Sequence, residues 1–234
     1  MPAKARVLIT GAAAGIGQAI ADRCRADGYE VVGIDREGDG IRADLSHREA
    51  TAAALEQALQ GGPITRLVNN VGIVRPAPIE DQSFEDLEIA VSLNIRCAIQ
   101  CLQAVLPGMK TARFGRVINI SSRAALGKER RTVYAATKSA LIGMAKVWAL
   151  ELGGDGITAN AIGPGPIRTA LFDQANPSDS PCTQAIIDAI PVRRIGAPDD
   201  VANAVAFLLD ERSGFITGQT LYVCGGMTIG AAGN

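Results

Sequence analysis

The amino-acid sequence predicts a doubly wound α/β fold, and three observations carry that reading. Short apolar runs alternate with helix-length segments along the chain, the pattern of β-α-β units around a parallel sheet. Glycines make up 26 of the 234 residues, and a cluster of them, in Thr10-Gly11-Ala12-Ala13-Ala14-Gly15-Ile16-Gly17, follows the first apolar run directly. The composition, 47% hydrophobic with 20% charged and only 4% aromatic residues, suits a buried core of Ala, Val, Ile and Leu. Folded as one domain, a chain of this length hides roughly 70–75% of its unfolded surface, so neither a metal nor a disulfide is needed to hold it.

Arg6–Thr10 reads as the first strand, followed by a helix from about Gly17 to Asp27 that Gly28 stops. Glu30–Asp35 is the second strand and Ile41–Ala43 a short third. A helix over Arg48–Leu59 ends at Gly61-Gly62-Pro63, and Arg66–Asn70 is the fourth strand. A long helix covers about Phe84–Leu106, with Ser83 as N-cap and Pro107-Gly108 just past its end. Arg116–Ile120 is the fifth strand, Val133–Leu152 a helix and Thr158–Ile162 the sixth strand. Gly163–Ala197 holds five prolines and little periodicity; it reads as a mobile flap with one short helix near Gln184–Ile190. Asp199–Leu209 is a further helix and Thr220–Cys224 the last strand. With no repeat and no linker, residues 1–234 read as one domain, with a cleft at the carboxyl ends of the strands where the order reverses.

Several function classes are excluded early. Twenty-three basic against 24 acidic residues leave a formal charge of −1, no footprint for nucleic acid or anionic lipid. No segment has the roughly 18 uncharged apolar residues of a membrane span, and Val7-Leu8-Ile9 is too short for a signal-peptide core. Cys24, Cys97, Cys101, Cys182 and Cys224 are an odd set without C-x-x-C spacing, and His47 is the one histidine. No metal site is expected; the thiols read as buried and free, in a reduced cytoplasm.

The glycine-rich turn between the first strand and its helix points to a phosphate. Glycines there permit positive φ and close approach of the backbone, and the free N–H groups at the helix start face the anion. The spacing, G-x-x-x-G-x-G, differs from the general G-x-G-x-x-G fingerprint, and the bland alternative is a tight strand-to-helix turn. Asp35 ends the second strand, where a carboxylate accepts bonds from the adenosine ribose hydroxyls and repels a 2′-phosphate, which favours NAD over NADP. Arg36 beside it argues the other way, or is a solvated loop residue.

Further motifs follow in order: Asn69-Asn70-Val71-Gly72, Asn94, Ser121-Ser122 and Tyr134-Ala135-Ala136-Thr137-Lys138. With them the chain resembles, nearly end to end, the short-chain dehydrogenase/reductase family. The resemblance implies a Rossmann fold, a mostly parallel seven-stranded sheet in the order 3-2-1-4-5-6-7, usually assembled as a homotetramer or else a homodimer. The implied reaction is reversible hydride transfer between a nicotinamide and an alcohol or carbonyl. Gly11, Gly15, Ile16, Gly17, Asn70, Val71 and Gly72 fall on its cofactor-binding motifs. So do Asp44 and Leu45, which resemble the pair contacting adenine, and Ile167 and Thr169 of Pro164-Gly165-Pro166-Ile167-Arg168-Thr169, which resemble the carboxamide-fixing turn. By the same resemblance Asn94 completes a catalytic tetrad, holding a water that links Lys138 to bulk.

The remaining chemistry can be read from the residues. Tyr134 and Lys138 are i,i+4 and share a helix face; an ammonium near a phenol lowers the phenol's pKa from about 10, so Tyr134 is the expected general acid/base. By the resemblance, Lys138 is also expected on the nicotinamide ribose. A bare Y-x-x-x-K is otherwise an ordinary amphipathic pair with the lysine reaching for solvent. A serine hydroxyl would stabilise charge on the substrate oxygen. The family's usual spacing to the tyrosine selects Ser121, and alignment of the preceding strand with the family selects Ser122; register is stiffer than loop length, so Ser122 is preferred.

Only eight residues separate Asp35 from Asp44, leaving no room for the family's helix between those strands and opening the adenine end. Arg123, Lys128, Glu129, Arg130 and Arg131 charge the segment after Ser122, either to recognise a carboxylate or phosphate or as a solvated or subunit-contact face. Val74–Pro78 and the flap's Leu171, Phe172, Ala175 and Ile186–Ile187 suggest a partly apolar substrate pocket. The expected function is an NAD-dependent secondary-alcohol dehydrogenase or ketone reductase with a small-molecule substrate. The alternatives are an NADPH-dependent 3-oxoacyl thioester reductase and, from another class, a non-catalytic NAD(H) sensor.

Overall fold

A computed structural model describes residues 4–230. Seven parallel strands form one sheet in the order β3-β2-β1-β4-β5-β6-β7, as expected. They are β1 (Arg6–Thr10), β2 (Glu30–Asp35), β3 (Ile41–Arg42), β4 (Arg66–Asn69), β5 (Gly115–Ile120), β6 (Ile157–Pro164) and β7 (Thr220–Val223). The order reverses between β1 and β4, whose register pairs Val7 with Arg66 and Ile9 with Val68. The cleft therefore opens beyond Thr10 and Asn69.

Strand alternation divides the core into two layers. Leu8, Leu67, Val117 and Ala159 face α2 (Arg48–Leu59) and α4 (Cys97–Ala112). Val7, Ile9, Val68, Ile118 and Ile162 face α1 (Gly15–Ala26) and α8 (Pro198–Leu209). Strands buried on both faces read as continuous apolar runs, and all five residues of β1 are buried.

The long helix departs from expectation at two places. It comprises α3 (Phe84–Val91), a π turn over Ser92–Arg96 and α4, and it passes through Pro107 to Ala112 instead of stopping at Leu106. Proline in a helix interior forfeits one hydrogen bond and costs about 3 kcal/mol. Continuing past it buries Met109 completely and sets Gly108 against Pro63. The stop comes at Arg113, in the left-handed conformation with φ 51°. Phe84–Ala112 contains an 18-residue stretch of mean hydropathy 1.5, long and apolar enough to cross a membrane by length and composition alone. Here Cys97, Cys101, Leu102 and Val105 pack into the core, and Arg96 interrupts the apolar run.

In the flap, two short helices stand where one was expected. α6 (Ala170–Ala175) is capped by the Thr169 hydroxyl and α7 (Pro181–Asp188) by that of Ser180. β6 extends to Pro164 because Gly163 and Pro164 pair with Tyr222 and Val223. Between β2 and β3, residues 36–40 turn without a helix. The β2 face bearing Val31, Gly33 and Asp35 is thus left open beside α1, over a cavity of about 330 Å³.

Candidate active site

The dinucleotide end is assembled by Thr10 and Asn70. The Thr10 hydroxyl accepts from the N–H groups of Asn70 (3.0 Å) and Val71 (3.1 Å), while Asn70 Nδ2 donates to the carbonyls of Thr10 (2.9 Å) and Gly11 (3.0 Å). These bonds lock the β1 and β4 ends together. A Cβ on Gly17 would lie 1.8 Å from the Gly11 carbonyl oxygen, so no side chain fits where α1 begins. The α1 N-cap, Ala14, offers no side-chain acceptor and the first turn has no acid. Its N–H groups remain for an external anion. Gly15 sits under the Thr169 methyl, and Ile16 packs against the α1–α8 layer.

Asp35 comes to this loop: one carboxylate oxygen accepts from Ala13 N at 2.9 Å, the other from Arg36 N at 2.6 Å. Asp44 lies further out and binds the Ser46 N–H (2.9 Å) and hydroxyl (2.6 Å). The Ser46 hydroxyl, with lesser help from the Arg36 charge, holds its carboxyl below the usual range. The Leu45 side chain is buried in the core, so only its backbone can meet a ligand. Ile167 is also buried, bridging to Gly196.

The reactive end lies where β5 meets α5 (Thr132–Leu152). Ser121 turns inward: its hydroxyl donates to the Lys138 carbonyl at 2.7 Å. Ser122 accepts from Ala124 N at 3.1 Å, and its hydroxyl lies close enough to the Tyr134 phenol to lower that phenol's pKa. Lys138 does not reach for solvent. It is buried, Nζ donates to the Ile120 carbonyl at 2.8 Å, and Nζ stands 5.7 Å from the Tyr134 ring centroid. Burial lowers its pKa to about 8. Burial also raises the Tyr134 pKa, and the partial offset comes first from the nearby Ser122 hydroxyl and then from the Arg131 charge. The sequence pointed to Lys138 for that offset; Arg131, one helical turn before the phenol, was missed.

Asn94 is buried although it lies mid-helix, because the π turn rotates it inward. Its Oδ1 accepts from Ile73 N (2.8 Å), and Nδ2 donates to the Ile73 carbonyl (3.1 Å) and the Thr137 hydroxyl (2.9 Å). Gly72 lies between: a Cβ there would come within 3.0 Å of Lys138 Nζ and 3.1 Å of Asn94 Oδ1. Thr10 and Thr137 were not singled out from the sequence. The available signal was position, Thr10 closing a buried strand and Thr137 one turn beyond Tyr134. Cys97 and Cys101 are buried and free, with their sulfurs 3.9 Å apart in the α4 core layer.

A family model described as enoyl-(acyl carrier protein) reductase matches residues 11–228. The chain is 36% identical to the (2S)-[(R)-hydroxy(phenyl)methyl]succinyl-CoA dehydrogenase subunit BbsD of Thauera aromatica, over 95% of this chain and 96% of that protein. It is 32% identical to the 3-oxoacyl-[acyl-carrier-protein] reductase FabG of Thermotoga maritima, over 95% and 97%. Among solved structures, a blue fluorescent protein from a metagenomic library, in complex with NADPH, superposes with a TM-score of 0.86 at 33% identity. The match covers 96% of this chain and 98% of that one.

Proposed function

Because this chain belongs to the short-chain dehydrogenase/reductase family, and is thus an oxidoreductase of hydroxyl and keto groups that uses a nicotinamide cofactor, we propose that it transfers hydride between NAD(H) and a small secondary alcohol or its ketone. The observation that carries the proposal is the convergence of Ser122, Tyr134 and buried Lys138 on the end of β5, with Asn94 behind them. The Gly11–Gly17 cradle, the uncapped start of α1 and the Asp35 carboxylate fit a dinucleotide. The cofactor, when bound, supplies or accepts the hydride. Tyr134 gives its phenolic proton to the substrate oxygen in reduction and takes it back in oxidation. Ser122 donates a hydrogen bond to that oxygen as charge develops there. Lys138 holds positive charge beside the phenol and is placed for the ribose hydroxyls. Asn94 fixes Ile73 and Thr137 around it.

NAD is preferred over NADP because Asp35, Glu37 and Asp39 line the open face of β2, where a 2′-phosphate would meet carboxylates. Titrating the protein with NADH and NADPH, following nicotinamide and Trp148 fluorescence, tests this; tighter NADPH binding removes it. The second reading, a 3-oxoacyl thioester reductase using NADPH, is favoured by the thioester substrates in the relatives' names. Preferential reduction of an acetoacetyl thioester with NADPH would establish it. A non-catalytic NAD(H) sensor would have no use for Tyr134, and Tyr134→Phe separates that case by abolishing turnover while nucleotide binding persists. We further assign residues 1–234 to one catalytic domain with a flap at about 163–197, in a homotetramer or homodimer. Five free thiols suit the reduced cytoplasm.

A further inference from the structure

The segment between Ser122 and Tyr134 carries Arg123, Lys128, Arg130 and Arg131 against a single acid, Glu129. Among the described residues, none of these four cations has an ion-pair partner within 4 Å. The segment is also held in place. Ala124 N bonds Ser122 Oγ at 3.1 Å and the Ala125 carbonyl accepts from Ser139 Oγ at 3.1 Å. Ala77 N bonds the Arg130 carbonyl at 3.2 Å, which lays residues 73–78 alongside the far end of the segment. Arg130 takes a left-handed φ of 59° there, a conformation that costs a non-glycine residue about 1 kcal/mol or more.

Three of the cations act on the reaction centre or on each other. Arg131 is the N-cap residue of α5, three positions before Tyr134, and its guanidinium donates to the adjacent Arg130 carbonyl at 3.0 Å. Its charge is felt at the phenol. Partial burial, then the Arg131 and Arg123 charges, hold the Lys128 ammonium below its ordinary pKa. Like charges gathered without an ion-paired acid repel one another, and an arriving anion relieves that repulsion while gaining charge-assisted hydrogen bonds.

We propose that Arg131, with Lys128 and Arg123 behind it, binds an anionic group on the substrate a few bonds from the reacting carbon, so that the substrate class is a hydroxy acid and its oxo acid. The inference rests on the dehydrogenase reading above and narrows it. In reduction the oxo acid takes hydride at its carbonyl carbon from NADH and a proton at oxygen from Tyr134, leaving the hydroxy acid and NAD⁺. The carboxylate is unchanged and stays paired with the guanidinium.

The test uses the full-length protein with NADH and two sets of probes, 2-, 3- and 4-oxopentanoate and their methyl esters, together with acetoacetyl-CoA, whose acyl end is neutral. At least one free acid is expected to exceed its ester by about tenfold or more in kcat/KM, the size of one charge-assisted contact. Arg131→Gln should lower that acid:ester ratio by about 10- to 100-fold, mainly through KM. Lys128→Gln should lower it less and in the same direction, and raising the ionic strength should do likewise. Equal turnover of acids and esters, preference for acetoacetyl-CoA, or variants that change the oligomer mass and not the ratio would overturn the proposal and leave the dehydrogenase reading standing. NADH binding without turnover of any probe would remove both.

Discussion

Ser121 donates to the Lys138 carbonyl while Ser122 faces the Tyr134 phenol, so two adjacent serines should separate cleanly on substitution. Ser122→Ala is expected to lower kcat by about 10²–10³ with NADH binding intact. Ser121→Ala should instead cost about 1 kcal/mol of stability and leave most of the activity; a dead Ser121→Ala with an active Ser122→Ala would reverse the assignment. Strand register alone distinguishes these serines, because β5 pairs on both sides and cannot slip by one residue. Lys138 was legible as a partner of Tyr134 but its burial was not. With the folded pKa near 8 against an ordinary value of 10.5, the native state disfavours the ammonium, a penalty fully present below pH 8 and relieved as pH rises toward 10.5. Lys138→Met should therefore abolish turnover yet match or exceed the wild-type thermal midpoint at pH 7, with the wild type gaining ground between pH 8 and 10.5. For the phenol the sign runs the other way. Arg131 lowers the Tyr134 pKa, so in Arg131→Gln the rise of alcohol-oxidation kcat/KM with pH should move to higher pH.

At the scale of elements, the π turn over Ser92–Arg96 accounts for the residue that sequence reasoning could place only by resemblance. A π turn adds a residue to one helical turn, so a 3.6-residue period carried through Ser92 assigns Asn94 the wrong face. Nothing in the composition of that turn marks it. The turn is held by the three side-chain bonds from Asn94 to Ile73 and Thr137. Asn94→Ala strands a part-buried N–H and carbonyl of Ile73, and a loss of about 1–2 kcal/mol is expected in urea unfolding, along with reduced kcat. An unchanged unfolding midpoint would show that Asn94 does not hold the loop. Pro107 misled for a different reason: local propensity against proline is real, but the burial of Met109 in the α4 layer outweighs it. The strands were legible to within a residue or two because the central ones, β1, β4, β5 and β6, are buried throughout and read as continuous apolar runs. The flap, with few buried side chains, left its two short helices to be specified by the Thr169 and Ser180 caps.

For the whole molecule, several large apolar side chains remain on the surface, among them Phe84, Leu150 and Phe215. β7 closes the sheet with one edge unpaired. Light scattering should accordingly give a mass that is a multiple of 24.3 kDa; a monomer at micromolar concentration would rule out the assembly proposed above. The other edge of the sheet has a temporal consequence. Because residues 36–40 link β2 to β3 without a helix and leave a cavity of about 330 Å³ beside Asp35, little protein covers the adenosine end of a bound dinucleotide. Its residence time should be short. In many well-evolved enzymes turnover waits on departure of the product. Here escape of the spent cofactor would outpace chemistry, and substrate deuterated at the carbinol carbon should slow kcat by the full primary isotope effect, not a masked fraction of it.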